Sequence, residues 1–155
     1  MKRTLWLTLA LTLALAGPAL AVEKHGGLAL SYAAPQGLFD KLVGDGYGLS
    51  AIFDYPMTGY VDITGSLGWY RFSGITLIEG TNIETDSTTM WEFAAGPQFD
   101  LKALYVGVEG GYWTEIDEWG VMANAGFRKD LIDLSVRYKP TGDGEFYAIR
   151  LGFFF

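Results

Sequence analysis

The chain has one histidine, His25, and no cysteine. Composition therefore excludes disulfides, thiolate nucleophiles and Cys-based metal sites. The remaining route to covalent hydrolysis is a serine activated by a histidine that a carboxylate orients. His25 stands ahead of the first patterned segment, and Ser31 and Ser50 have no base in obvious reach. The sequence thus predicts no catalytic group. Glu115, Asp117 and Glu118 could hold Ca²⁺ weakly, but they lack an oxygen-ligand spacing, and solvated loop charge is the simpler account. Glycine-rich phosphate loops are absent. No metal and no cofactor are expected. One constellation remains. Glu92, Glu109, Arg137 and Arg150 all fall on the polar side of an alternating pattern, where opposite charges must pair if they are buried.

What must position these residues is a set of strands. From Val22 onward no useful 3.6-residue apolar period exists, whereas two-residue alternation is broken repeatedly by turn residues. Eight segments stand out: 27–34, 47–55, 60–72, 89–100, 103–114, 118–128, 131–139 and 146–155. Each is about the 9–11 residues that a tilted spanning strand needs. Half of the residues are apolar, yet the only long apolar run is at the very start. That run has the form of a secretory signal. Lys2 and Arg3 precede the apolar stretch Leu5–Ala16, and Ala19-Leu20-Ala21 is an A-x-A cleavage site. Residues 1–21 are expected to be a signal peptide and 22–155 the exported domain. A membrane chain without further apolar 20-mers can span only as a closed barrel, because lipid offers no partner to an unpaired backbone group. The expected fold is all-β: an eight-stranded antiparallel up-and-down transmembrane β-barrel.

Aromatic placement sharpens this expectation. One alternating face of the segments carries no charge from its end aromatic inward, as from Trp69 back to Val61. With strands oriented up and down alternately, its external ends hold Tyr32, Tyr47, Trp69, Trp91, Tyr112, Trp119, Tyr138 and Tyr147. The opposite ends hold Tyr55, Phe99, Phe127 and Phe155. Two aromatic girdles around an apolar band are what the two water–lipid interfaces select. Eight residue steps between girdles cover about 26 Å along a strand, or about 20 Å of height once tilted. Pro97 fits badly inside the fourth strand, since it cannot donate to a ladder; ideal pairing is not expected there, and a bulge near the periplasmic rim could absorb it.

The inward face reads as small and polar, with Ile52 and Met122 as apolar exceptions. This is the reverse of a soluble ligand carrier. Counted down from the external girdle, Glu92, Glu109, Arg137 and Arg150 predict a salt-bridge cluster in the upper lumen. It would plug a barrel just wide enough for side chains, or else gate ions. The expected external loops, 35–46, 73–88, 114–118 and 140–145, hold ten acids against Lys41. Their acidity should repel nucleic acid and suit basic partners or cations. In the first loop Leu38, Phe39, Leu42 and Val43 predict a short amphipathic turn resting at the interface. In the second, 75–78 and 82–85 could form a protruding hairpin able to recruit a protein partner by strand addition.

At this point the chain resembles the small outer-membrane barrels of the OmpA/OmpX type. The likeness is one of pattern and covers Gly26 to Phe155. Its most telling piece is the end, where Tyr147, Ile149, Leu151, Phe153 and Phe155 resemble the C-terminal strand signal read by the barrel-assembly machinery. Arg150 and Gly152 depart slightly from the usual order of polar residue and glycine. The resemblance implies a bacterial outer-membrane location, contact with outer-membrane lipid and lipopolysaccharide, and a structural, surface-exposed or adhesion role. A porin-like ion path and, further off, an enzyme acting on outer-membrane lipid are the alternatives it leaves. A periplasmic peptidoglycan-binding domain is not expected.

Overall fold

A computed structural model describes residues 26–76, 85–140 and 144–155. The expected signal peptide and His25 lie outside the described residues. Eight strands form in chain order: β1 (Gly26–Pro35), β2 (Gly46–Pro56), β3 (Val61–Phe72), β4 (Thr88–Leu101), β5 (Leu104–Trp113), β6 (Glu118–Lys129), β7 (Ile132–Lys139) and β8 (Phe146–Phe154). Each pairs antiparallel with its sequence neighbours, and β1 pairs with β8, so the sheet closes as a barrel. The boundaries match the sequence expectation to within one or two residues. No helix among the described residues is long and apolar enough to cross a membrane.

Alternation fixes the two faces. In β5, Tyr105, Gly107, Glu109, Gly111 and Trp113 are buried in the lumen, while Leu104, Val106 and Val108 point outward. Leu30 (60%), Leu49 (51%), Val106 (47%) and Ile149 (55%) are among many large apolar side chains open on the outer wall. A continuous apolar surface of this extent suits hydrocarbon and not water. Charges occupy outward strand positions only at the two extremities, Arg71 at one end and Lys129 at the other.

Every strand pair keeps one register along its whole length. Following paired residues once around the barrel returns to β1 displaced by ten residues. With ordinary strand spacings, that stagger on eight strands corresponds to a tilt of about 40° and a radius of about 8 Å. Such a radius leaves room for side chains and no wide channel.

Pairing is interrupted at Pro97, as its missing N–H implies, but without a bulge. β4 pairs β5 through Ala95 and Gly110 and again through Gln98 and Gly107, in the same register on both sides. The ladder lapses across Gly96-Pro97. Pro97 has no N–H, and Gly96 lies so close to the β5 backbone at Val108 and Glu109 that a Cβ would collide with it. The register is held by the flanking pairs, so the omission stays local.

Short turns and long loops segregate to opposite ends. At the short-turn end, Lys102 (φ 72°) and Asp130 (φ 55°) adopt left-handed backbone in the two-residue links. Thr58 Oγ1 accepts from Val61 N in the third turn. At the other end, each hairpin closes on a cross-strand aromatic pair: Tyr32 with Tyr47, Trp69 with Trp91, Tyr112 with Trp119 and Tyr138 with Tyr147. Placing Arg at Val108, midway along the wall, should destabilise the barrel in phospholipid vesicles by about 2–4 kcal/mol, and Leu104→Arg near the rim by about 0–1 kcal/mol. Urea titration of both variants checks the gradient, and equal costs would contradict it.

Candidate functional site: the lumen and the long-loop rim

The lumen is filled in three layers. The layer nearest the long loops is aromatic. Tyr70, Phe72, Met90, Trp113, Met122 and Phe146 are all fully buried there. The inner face is thus not small and polar throughout. The strands continue past the girdle at this end, and apolar rings can seal the mouth without leaving a polar atom unpaired. A single 3₁₀ turn, Phe39–Lys41, folds over them. Phe39 packs edge-on against Phe72 with ring centroids 5.0 Å apart, and Val43 is buried with it. The first loop therefore caps the barrel mouth and does not rest at the interface as its spacing suggested. Leu38 and Leu42, on the other side of the same turn, stay exposed. Beneath the cap, Lys139 Nζ lies 3.1 Å from Glu118 Oε2 and 5.2 Å from the Trp113 ring centroid.

The middle layer is ionic. Arg137, on β7, is fully buried and reaches Glu92 on β4 at 2.7 Å and Glu109 on β5 at 2.5 Å. Neutral groups complete the network. Ser66 Oγ donates to Glu92 Oε1 at 2.7 Å, Trp113 Nε1 to Glu92 Oε2 at 3.3 Å, and Asn124 Nδ2 to Glu109 Oε1 at 2.6 Å. All four carboxylate oxygens thus accept a hydrogen bond, which is the condition for holding two buried carboxylates on one guanidinium.

Of the four residues expected to cluster, the structure brings three together. Arg150 is the exception. It is buried, but its Nε donates to Ser135 Oγ at 3.2 Å, and it forms no ion pair among the described residues. Its cross-strand partners are Ser31 and Ser135, and the oxygens of Glu109 are already taken by Arg137 and Asn124. Arg150 therefore balances the layer's net charge from a distance rather than by contact.

The third layer, near the short turns, was not foreseen as a cluster. Arg128 on β6 pairs with Asp54 on β2 and, at 3.2 Å, with Asp133 on β7. Tyr105 donates to Asp133 at 2.9 Å, and the Arg128 guanidinium lies 4.3 Å from the Phe154 ring centroid. The sequence did carry a signal. Arg128 and Asp133 flank a two-residue turn, which makes them direct cross-strand partners on one face.

At the long-loop rim, three girdle tyrosines donate to loop carboxylates. Tyr32 bonds Asp45, Tyr112 bonds Asp117 at 2.6 Å, and Tyr138 bonds Glu145 at 2.6 Å. Asp117 and Glu118 are thereby committed to Tyr112 and Lys139, and no group of three potential ligands that could hold a metal occurs among the described residues. Glu118 is also less solvated than its place next to the loop implied. In the second loop, Thr85 N donates to Ile75 O at 2.8 Å, which continues the β3–β4 pairing upward. The rest of the expected hairpin, 77–84, lies outside the described residues. Ser31 and Ser50 are buried lumen residues.

On the outer wall of β8, Tyr147, Ile149, Leu151 and Phe153 face outward, and the terminal Phe155 is exposed. The eight girdle aromatics likewise point outward at the long-loop end, with Tyr138 and Tyr147 stacked at 4.2 Å.

No known family model matches this chain, and no curated protein matches its sequence. Solved structures do. The outer membrane protein Ail of Yersinia pestis, determined in phospholipid bilayer nanodiscs, aligns with a TM-score of 0.53 at 18% identity, covering 86% of this chain and 100% of that one. A crystal structure of Ail, the attachment invasion locus protein of Yersinia pestis, with the heparin analogue sucrose octasulfate aligns at 0.48 and 18% identity, over 86% and 98%. A barrel from the de novo design of transmembrane β-barrels aligns at 0.49 and 14% identity, over 87% and 98%. The first of these establishes a shared fold, that of a small transmembrane β-barrel.

Removing Arg137 would leave two buried carboxylates without a counter-charge. Arg137→Ala should cost about 3–5 kcal/mol. Arg150→Ala, which loses one hydrogen bond to a serine, should cost about 1–3 kcal/mol. Urea unfolding followed by tryptophan fluorescence ranks the two, and an equal or reversed order would refute the assignment of Arg137 as the hub.

Proposed function

We propose that this chain is an integral protein of a bacterial outer membrane that holds an acidic loop surface at the cell exterior, in a structural or adhesive role and without a catalytic group. The observation that carries this reading is the sealed lumen beneath an apolar wall. An aromatic cap, the Arg137 network and the Arg128 cluster fill the interior from end to end. Among the described residues, Arg137, Glu92 and Glu109 bind one another across the barrel, which leaves no wide path for ions. What the fold offers its surroundings is its outer wall and its loops.

The location is supported by the fold shared with an outer membrane protein and by the outward aromatic and apolar residues of β8, which suit recognition by the barrel-assembly machinery. The wall and girdles suit outer-membrane lipid and lipopolysaccharide as the surrounding medium. The loop segments carry Asp40, Asp45, Glu79, Glu84, Asp86, Glu115, Asp117, Asp143 and Glu145 against Lys41. A partner reached through them, including one docking on loop 73–88, should be basic, and nucleic acid is disfavoured. The rim tyrosines bind three of these acids and so tether the loops to the girdle.

Expressed in a Gram-negative host, the chain should fractionate with the outer membrane, and its folded form should migrate differently on gels before and after heating. In planar bilayers it should show no steady conductance. Recovery in the soluble fraction would refute the location, and stable single-channel steps would restore the pore reading in place of the sealed one.

A further inference from the structure

At the short-turn end, four carboxylates among the described residues face the lumen, Asp54, Asp62, Asp100 and Asp133, against one guanidinium, Arg128. Arg128 is committed to two of them, Asp54 and Asp133. Asp62 and Asp100 form no ion pair among the described residues. Their carboxyl groups instead stand within hydrogen-bonding reach of each other. Lys102 and Lys129, the bases of the adjoining turns, are exposed and pair with neither. Two carboxylates that share a site repel unless something positive lies with them.

A second observation is independent of charge. Gln98 is the direct cross-strand partner of Asp62, and its Nε2 donates to Asp100 Oδ1 at 3.1 Å. The amide is thus seated between the two acids. It is fully buried, yet its Oε1 accepts no hydrogen bond among the described residues. Asp54, which pairs with Thr64 two residues along from Asp62, is 5% exposed and has one oxygen, Oδ1, in the same condition. Buried acceptors are nearly always satisfied, so both oxygens imply a donor beside them. A lone water would satisfy an oxygen and leave the charge. A proton shared by the acids would offset the charge and leave Gln98 Oε1. A cation that carries its own water does both.

Oxygen donors select a hard cation. Ions of the magnesium type bind through one or two carboxylates and keep several waters, whereas a calcium cage takes six to eight oxygens. Two carboxylates beside two open acceptors match the hydrated ion. Asp100 is part-exposed at the barrel end, so the ion can enter from the short-turn side without crossing the Arg137 network.

We propose that the short-turn end of the lumen binds one hydrated divalent cation of the magnesium type, held by the Asp62 and Asp100 carboxylates, with Gln98 Oε1 accepting from one of its waters. The ion offsets the charge that Arg128 leaves uncompensated and ties β3 to β4 inside the barrel. Its site lies at the end opposite the acidic loops and does not depend on the partner those loops meet.

Urea unfolding of the full chain in non-ionic detergent near neutral pH, with magnesium chloride as the probe, tests it. A ligand that binds only the folded barrel raises the ratio of folded to unfolded chain. At about ten times the half-saturating concentration, magnesium should raise that ratio in the wild type about ten-fold over the metal-free sample. The double variant Asp62→Asn/Asp100→Asn should be more stable than the wild type without metal and gain nothing from magnesium. Gln98→Leu should need more magnesium for the same gain. Asp40→Asn and Glu115→Gln, in the long loops, should respond as the wild type does. A wild type indifferent to magnesium, or one that gains as much from sodium chloride of equal ionic strength, would overturn the site. A double variant that keeps the magnesium gain would overturn it too, since the ion would then sit elsewhere. An unchanged magnesium requirement in Gln98→Leu would remove the amide from the assignment. Heat-dependent gel mobility shows that each variant is folded, and Asp62→Asn alone carries the comparison should the double variant not fold. Because binding is read in detergent, failure here is distinct from failure of the chain to reach the outer membrane.

Discussion

Every strand of this barrel has two neighbours, and that closure governs the rest. An open sheet in lipid would expose a row of unpaired N–H and C=O groups, each costing several kcal/mol. Closing β1 onto β8 removes the edge. Once the ladder is closed with one register per pair, no strand can slide alone. A slip of one residue would turn its apolar side chains inward and its charges into hydrocarbon. The division into a lipid wall and a filled lumen thus follows from the ladder. Even Pro97, which breaks the hydrogen bonding locally, leaves the β4–β5 register unchanged.

A narrow closed tube then sets the terms for its interior. Side chains on opposite strands meet across a radius of about 8 Å, so groups far apart in sequence become contacts. Arg137 on β7 reaches Glu92 on β4, and Arg128 on β6 reaches Asp54 on β2. These pairs tie strands that share no backbone hydrogen bonds, and they brace the tube across its width. The aromatic cap brings the long-loop end into the same packing, because Phe39 and Val43 of the first loop join the ring cluster of the strands. The external surface is thereby held by the interior as well as by the girdle tyrosines.

Much of this was legible in the sequence, for a physical reason. Lipid imposes one chemistry on one face, so two-residue alternation in β2, β4 or β8 states both the element and its orientation. The interior was read less well where the alternation becomes degenerate. Trp69-Tyr70, Tyr112-Trp113 and Phe146-Tyr147 place an aromatic on both faces at once, and the inward member of each pair was passed over. The first loop fails similarly, since Leu38 and Phe39, like Leu42 and Val43, are adjacent apolar residues of which one turns in and one turns out. Arg150 was placed on the correct face but with the wrong partners. Counting steps down from the girdle ignores the stagger of tilted strands, so equal counts on β5 and β8 do not bring side chains together.

The central claim is that alternate side chains of each strand meet hydrocarbon while their neighbours line a packed core. The chain has no cysteine of its own, so single cysteines carrying nitroxide labels can be placed along β5 in the barrel reconstituted into bilayers. Accessibility to dissolved oxygen and to a water-soluble nickel chelate reads the surroundings of each label. Labels at Leu104, Val106 and Val108 should be open to oxygen and closed to the chelate, whereas labels at Tyr105 and Gly107 should be shielded from both. Chelate access at Val106 and Val108, or loss of the two-residue period, would contradict the account.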